Sequence, residues 1–372
     1  MSLTRRTLLA SGLALPFVPR SASGADVDIA VIGAGAAGLA AAKAVRAAGR
    51  SVVVLEARDR IGGRTYTDAT LGTAFDAGAQ YIHWAERNPW TGIAKDLGAT
   101  LRTEGFGGSM VVFSDGIRLS DEQRNRRRGG FGRIWSLLPQ PGDPDRSFAD
   151  VARDRPPEIV EAAAGLTRFT FGEEPDRVSV EDYHQLWSGD DFVIAGGYGT
   201  LVSRYGADLP VRRETPVRAV AWDGPGVRLE TSRGTLSAAR AILTVPLGVL
   251  QAEAIRFTPT LPDGFREALA GLGMGAYTKI ALRVDKERAG AVESRDLVEV
   301  GSDGRALSYE VYPDGAPLVL AVLGGDFARR LCEAGEAAAV DFARERMSVM
   351  LGATFARAVT GGRLSGWWTD PW

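Results

Sequence analysis

Apolar and polar positions fall into their clearest order between Asp28 and Arg64. Residues 29–32 form a short apolar run between an acid and a glycine, the pattern of a parallel strand buried on both faces. Gly33, Gly35 and Gly38 follow in G-x-G-x-x-G spacing, and an alanine-rich stretch to about Ala48 predicts a helix. A second apolar run, Val52–Leu55, ends on an acid, Glu56. Gly33 permits a tight turn, Gly35 lets the backbone approach a pyrophosphate, and Gly38 lets helix and strand pack closely. The helix N-terminus offers free N–H groups and partial positive charge to phosphates, and Glu56 can accept hydrogen bonds from ribose hydroxyls. The unit predicts a dinucleotide site and leaves NAD and FAD open.

Beyond this unit the pattern predicts helices over 88–97 and 158–169, separated by a Gly/Arg/Pro-rich middle at 105–145. A further helix is expected over 200–207, followed by strands at 211–213, 217–222, 227–231 and 241–245 whose alternation suggests an antiparallel flap on the parallel sheet. A strand at 278–284 and helices at 328–334 and 337–351 complete the reading. The run Arg124, Arg126, Arg127 and Arg128 reads as a solvated helix face. Glu173, Glu174, Asp176, Glu181, Asp182, Asp190 and Asp191 read either as solvated surface or as an acidic entrance that attracts cations.

At 372 residues the chain is too long for one compact domain. A net charge of −2 supplies no basic field for nucleic acid or an anionic membrane. Cys332 is the one cysteine, and His83 and His184 are the only histidines, so no metal site is expected. Lysine occurs only at Lys43, Lys95, Lys279 and Lys286, which makes a lysine inside a motif informative. Residues 1–25 read as an export leader: Arg5-Arg6 precede an apolar run at 8–18 too short to span a bilayer, and small residues follow. The order Thr4-Arg5-Arg6-Thr7-Leu8-Leu9 is similar to a twin-arginine signal, which implies that export machinery as a partner, a periplasmic location and no stable membrane insertion once the leader is removed.

After Glu56 the chain continues Ala57-Arg58-Asp59-Arg60-Ile61-Gly62-Gly63-Arg64, and here it resembles the flavin amine oxidase family of monoamine oxidases, polyamine oxidases and flavin-dependent histone demethylases. The resemblance recurs at Phe75 to Trp84, at Gly196-Gly197-Tyr198-Gly199-Thr200-Leu201-Val202, at Thr244-Val245-Pro246-Leu247-Gly248-Val249-Leu250, at Lys279-Ile280 and at Trp367 to Trp372. It implies an α/β, two-domain FAD-binding flavoprotein of the Rossmann-like, glutathione-reductase type with a mixed α+β substrate domain. The FAD-binding domain is expected at 26–87 and 190–263, and the substrate domain at 88–189 and 264–372. Besides Gly33, Gly35, Gly38 and Glu56, the resemblance carries cofactor contacts over to Arg58, Arg64, Gln80, Tyr81, Val217 and Trp372.

Lys279 is expected beside the flavin through a water, and His83 facing substrate. The implied reaction oxidises an amine C–N bond to an imine, with O2 reduced to H2O2, on a polyamine or monoamine. An NAD-dependent dehydrogenase has no use for the later motifs, and an L-amino-acid oxidase would place an arginine where Gln80-Tyr81-Ile82-His83 stands. The family's last segment, which completes the FAD cradle, would follow Trp372. From that, a chain ending there is expected to be a remnant that binds FAD weakly or not at all, poorly soluble and inactive.

Overall fold

A computed structural model describes residues 25–103, 110–186 and 189–372; the expected leader lies outside them apart from Ala25. The first sheet grows from β1 (Val27–Ile32), which pairs in parallel with β2 (Val52–Leu55) on one side and β3 (Gly234–Leu243) on the other. Helix α1 (Ala36–Ala47) crosses between β1 and β2. Side chains of β1 alternate between two cores. Val31 packs with Leu39 and Val54, while Ala30 and Ile32 pack with Val53, Leu55 and Leu229 on the other face. A strand covered on both faces has no polar side to show, which is why the run reads as continuously apolar.

From β3 the sheet continues antiparallel through Val227–Thr231 and Val217–Ala221, the flap that the alternation predicts. β3 itself begins seven residues before the predicted 241, at Gly234. Its first half is written in small residues, with only Leu236 and Ala238 buried, so the apolar signal there is weak.

The second seven-stranded sheet is ordered Val359–Leu364, β4 (Tyr277–Val284), Leu318–Gly324, Ala306–Val311, Asp296–Val300, Val111–Ser114 and Ile117–Arg118. It therefore joins strands from two distant parts of the chain, with Val111–Ser114 running parallel to Asp296–Val300. Two strands and a 17-residue helix, Asp121–Leu137, occupy the middle that composition alone marks as Gly/Arg/Pro-rich. That helix buries only Gly130 and Ile134, so it carries almost no apolar periodicity. What fixes its start is a capping box between Ser120 and Gln123. A Cβ on Gly130 would stand 2.2 Å from the Glu158 carbonyl oxygen, so helix Pro157–Phe171 crosses against backbone there.

The arginine run on this helix is not uniformly solvated. Arg127 keeps only 11% of its side chain exposed, pairs with Glu161 at 3.4 Å, and has its pKa lowered by burial. No helix among the described residues is long and apolar enough to cross a membrane.

The fold makes a sharp distinction between glycines. An added Cβ at Gly38 would lie 1.9 Å from the Gly33 carbonyl oxygen, a backbone clash that no rotamer relieves, whereas at Gly248 nothing lies within 4 Å. Gly38→Ala should lower thermal stability by about 1–3 kcal/mol or more. Gly248→Ala, inside helix Leu247–Gln251, should be neutral or slightly stabilising. Equal melting temperatures for the two variants would contradict this packing.

Candidate active site

The end of β1 and the end of β2 form one side of the site. Gly33 turns the chain with φ of 104°, and the Thr244 hydroxyl closes the turn by donating to the Ile32 carbonyl at 2.9 Å. Gly35 caps α1 without a side-chain hydrogen bond, and no acid stands in the helix's first turn. A Cβ at Gly35 would meet nothing within 4 Å, so the space in front of the helix N-terminus is open. Gly62 and Gly63, both at positive φ, bring the Ile61-Gly62-Gly63-Arg64 loop against this turn, with the Gly62 N–H donating to Ala34 O at 2.8 Å. Glu56 is buried beside them. Its two carboxylate oxygens accept the Ala34 N–H at 2.7 Å and the Arg58 N–H at 2.9 Å. A carboxylate has about four acceptor positions, so this one can still receive hydroxyl groups. An uncapped helix N-terminus, an open glycine and an anchored acid together fit a dinucleotide's diphosphate and ribose.

The other predicted cofactor contacts lie around this cradle. The Arg64 carbonyl accepts the Ala79 N–H at 3.0 Å, joining the two motifs, while the Arg64 side chain is exposed. Val217 is buried at the start of its strand, close to β2's end, where the Thr215 N–H donates to Glu56 O at 2.8 Å. Arg58 is occupied differently from expectation. Its guanidinium grips the Asp370 carboxylate through two bonds of 2.7 and 2.6 Å and also reaches Trp372 O at 2.8 Å. Arg58 and the partly exposed Trp372 therefore meet in one cluster around Asp370.

The second side of the site is Lys279, on β4. It is only 4% exposed, and its ammonium donates to the Asp76 main-chain oxygen at 2.7 Å and to Gln80 Oε1 at 2.8 Å. Segment 75–80 is thus where the lysine strand meets the chain that leaves the cofactor cradle. Asp76 is the residue that motif reading passed over. Its carboxylate accepts the Thr67 hydroxyl at 2.6 Å and the N–H groups of Tyr198 and Gly199 at 2.9 and 3.3 Å. It thereby caps helix α2 (Tyr198–Tyr205), whose own cap residue, Gly197, has no side chain to do so. Burial pushes the Asp76 carboxyl up, against the downward pull of these hydrogen bonds and of Lys279. The signal was present in the sequence as an acid between Phe75 and Ala77, just before Gly78-Ala79. From the far side, Trp367 Nε1 donates to Ala77 O at 3.0 Å.

Tyr81 and His83 follow Gln80, with ring centres 5.4 Å apart, while Ile82 between them points into the core. His83 Nδ1 lies 2.9 Å from Asp191 Oδ1, and 70% of the His83 side chain is exposed. The structure brings Lys279 and Gln80 into contact; His83 lies beyond Tyr81 and reaches toward solvent. The acidic stretch divides. Glu174 pairs with Arg168 at 2.6 Å, and Glu173 with Arg329 and Arg177, so these two are structural ties and not an entrance. Asp191 remains beside His83.

The profile described as "Flavin containing amine oxidoreductase" matches residues 36–183 and 175–372. Polyamine oxidase 4 of Oryza sativa subsp. japonica is 29% identical, the match covering 98% of this chain and 80% of that protein. Lysine-specific histone demethylase 2 of Homo sapiens is also 29% identical, over 69% of this chain and 34% of its own length. Among solved structures, wild-type putrescine oxidase bound to putrescine superposes with a TM-score of 0.72 at 21% identity, covering 93% of this chain and 86% of that one, which shows a shared fold. The chain belongs to the flavin-containing amine oxidoreductase family, and FAD is its cofactor.

Proposed function

We propose that this FAD-dependent amine oxidase acts on a diamine or polyamine, and that Lys279 marks the place where amine and flavin meet. The observation that carries the reading is the buried Lys279 ammonium, held by two oxygens from the segment that leaves the cofactor cradle. Bound FAD supplies the two-electron oxidation of the carbon–nitrogen bond. In this reading the open backbone at Gly35 and the N-terminus of α1 receive the diphosphate, and Glu56 receives the ribose. Arg64, Tyr81 and Val217 border the same cofactor, and Arg58 acts by fixing Asp370 and Trp372 beside it. Lys279 holds a proton, and through it a water, at the reacting end.

At the outer end, His83 and Asp191 offer a polar, anionic pair to a second nitrogen of the substrate. The family relatives named polyamine oxidase and the fold match to putrescine oxidase agree with a substrate of more than one amine. We assign the cofactor domain to 26–87 and 190–263 and the substrate domain to 88–189 and 264–372, a division that the membership of the two large sheets supports, except that residues 90–101 pack in the core of the first sheet. Residues 1–25 serve, in the same reading, as a twin-arginine leader to the periplasm. Cell fractionation of the chain with and without Arg5→Lys/Arg6→Lys tests that point: export should stop in the variant, and unchanged export would refute it.

Gly35→Ala should keep the wild-type melting temperature of the flavin-free chain, because its methyl group enters open space, yet weaken FAD binding by about 1–3 kcal/mol through crowding of the diphosphate. Flavin titration with unchanged affinity would place the diphosphate elsewhere. Lys279→Met in FAD-loaded protein should slow flavin reduction or reoxidation, followed by stopped-flow absorbance, with FAD retained. Wild-type rates in both half-reactions would remove Lys279 from the chemistry. Amine-dependent H2O2 release should favour putrescine, spermidine and spermine over benzylamine and tryptamine; turnover of the aromatic amines alone would reverse the substrate assignment.

A further inference from the structure

We infer that Gln80 is a positioning residue for Lys279: its side-chain oxygen fixes the lysine ammonium in the site and favours the protonated form, so that Gln80 acts through the lysine and not as a direct cofactor ligand. The inference rests on the reading of Lys279 given above. Hydrogen-bond direction carries it. An ammonium has three donors and no acceptor, so the Gln80 group facing it must be Oε1, found 2.8 Å from Lys279 Nζ. That choice turns Gln80 Nε2 the other way, to 3.5 Å from the Tyr81 hydroxyl oxygen. One contact therefore sets the orientation of the whole amide and the hydrogen bond that Tyr81 receives.

The second acceptor, Asp76 O, is main chain and cannot be removed by substitution. The Asp76 carboxylate accepts from Thr67, Tyr198 and Gly199 and acts on the lysine through its charge. Asp76 faces it from strand Phe75–Asp76, and Gln80, bonded in turn to Tyr81, comes from the following stretch. The neighbouring strand Leu318–Gly324 sets Val322 opposite, and Ser365 donates its N–H to the Lys279 carbonyl. A neutral amide at position 80 stabilises the ammonium without cancelling its charge. An ammonium taken out of water depends on its acceptors, so loss of the Gln80 oxygen should shift its proton equilibrium measurably. A carboxylate at position 80 would hold the proton more tightly and neutralise the site.

The test uses the small number of lysines. With Lys43, Lys95, Lys279 and Lys286 as the complete set, a chain labelled with 13C at the lysine ε-carbon gives four resonances, and Lys279→Met assigns one. The pH course of that resonance should move to lower pH in Gln80→Met, by about tenfold in acid dissociation constant, and to higher pH in Gln80→Glu. In the FAD-loaded protein, the pH profile of flavin reduction by spermidine should move in the same two directions, with the flavin absorption band displaced in Gln80→Glu. Gln80→Asn, which keeps the amide on a shorter arm, should fall between wild type and Gln80→Met, and it stands in if the methionine variant does not fold. A Lys279 resonance with the same pH course in wild type and all variants overturns the inference, whatever happens to activity. A lysine that responds while flavin reduction does not supports the hold of Gln80 on Lys279 and refutes the place of Lys279 at the flavin.

Discussion

A lysine ammonium kept out of water is the constraint that organises this molecule. Removing such a charge from solvent costs several kcal/mol unless acceptors wait for it, and a domain has only about 5–15 kcal/mol of net stability. Acceptors for Lys279 come from residues 76–80, through Asp76 O and Gln80 Oε1, a segment far from it in sequence that follows on the glycine loops of the first sheet. Burial of the lysine in the second sheet is therefore tied to the chain leaving the cradle. That segment is secured from other directions as well: Asp76 caps α2 and bonds Thr67, and Trp367 holds Ala77. The cost of burying the charge is thereby converted into a defined relation between the two sheets.

The cradle follows a complementary logic, in which backbone stands where side chains would obstruct. Gly33 and Gly38 press against one another and against Thr244, whereas Gly35 faces empty space. Packing fixes the first two and leaves the third open. Glu56 is buried at the same point, and the backbone N–H groups that anchor it are donors its carboxylate requires once water is excluded. A helix N-terminus with no side-chain cap is in turn acceptable where an anion is to sit.

Much of this was legible in the sequence because short-range rules govern it. The β1–α1–β2 unit, Glu56 and the antiparallel flap announce themselves through apolar runs and glycine spacing, and Lys279 through its rarity and its motif. What escaped was set by partners distant in sequence. Helix Asp121–Leu137 has too little buried surface to show a period, and its stability comes from the cap and from close crossing at Gly130. Arg127, Glu173 and Glu174 have the composition of a solvated surface, but ion pairs draw them inward, Arg127 to Glu161, Glu173 to the distant Arg329 and Glu174 to the nearby Arg168. Arg58 carries the motif of a cofactor ligand while its guanidinium is taken by Asp370, more than three hundred residues away. Asp76 is not legible in the sequence because its task, capping a helix whose own cap is glycine, exists only in three dimensions.

The most direct test is a crystal structure of the chain loaded with FAD. The reactive edge of the flavin ring should lie within hydrogen-bond reach of Lys279 Nζ, about 3 Å directly or across one bridging water, with Gln80 still holding the ammonium. A flavin bound elsewhere, or a Lys279 side chain swung out to solvent in the loaded protein, would contradict it.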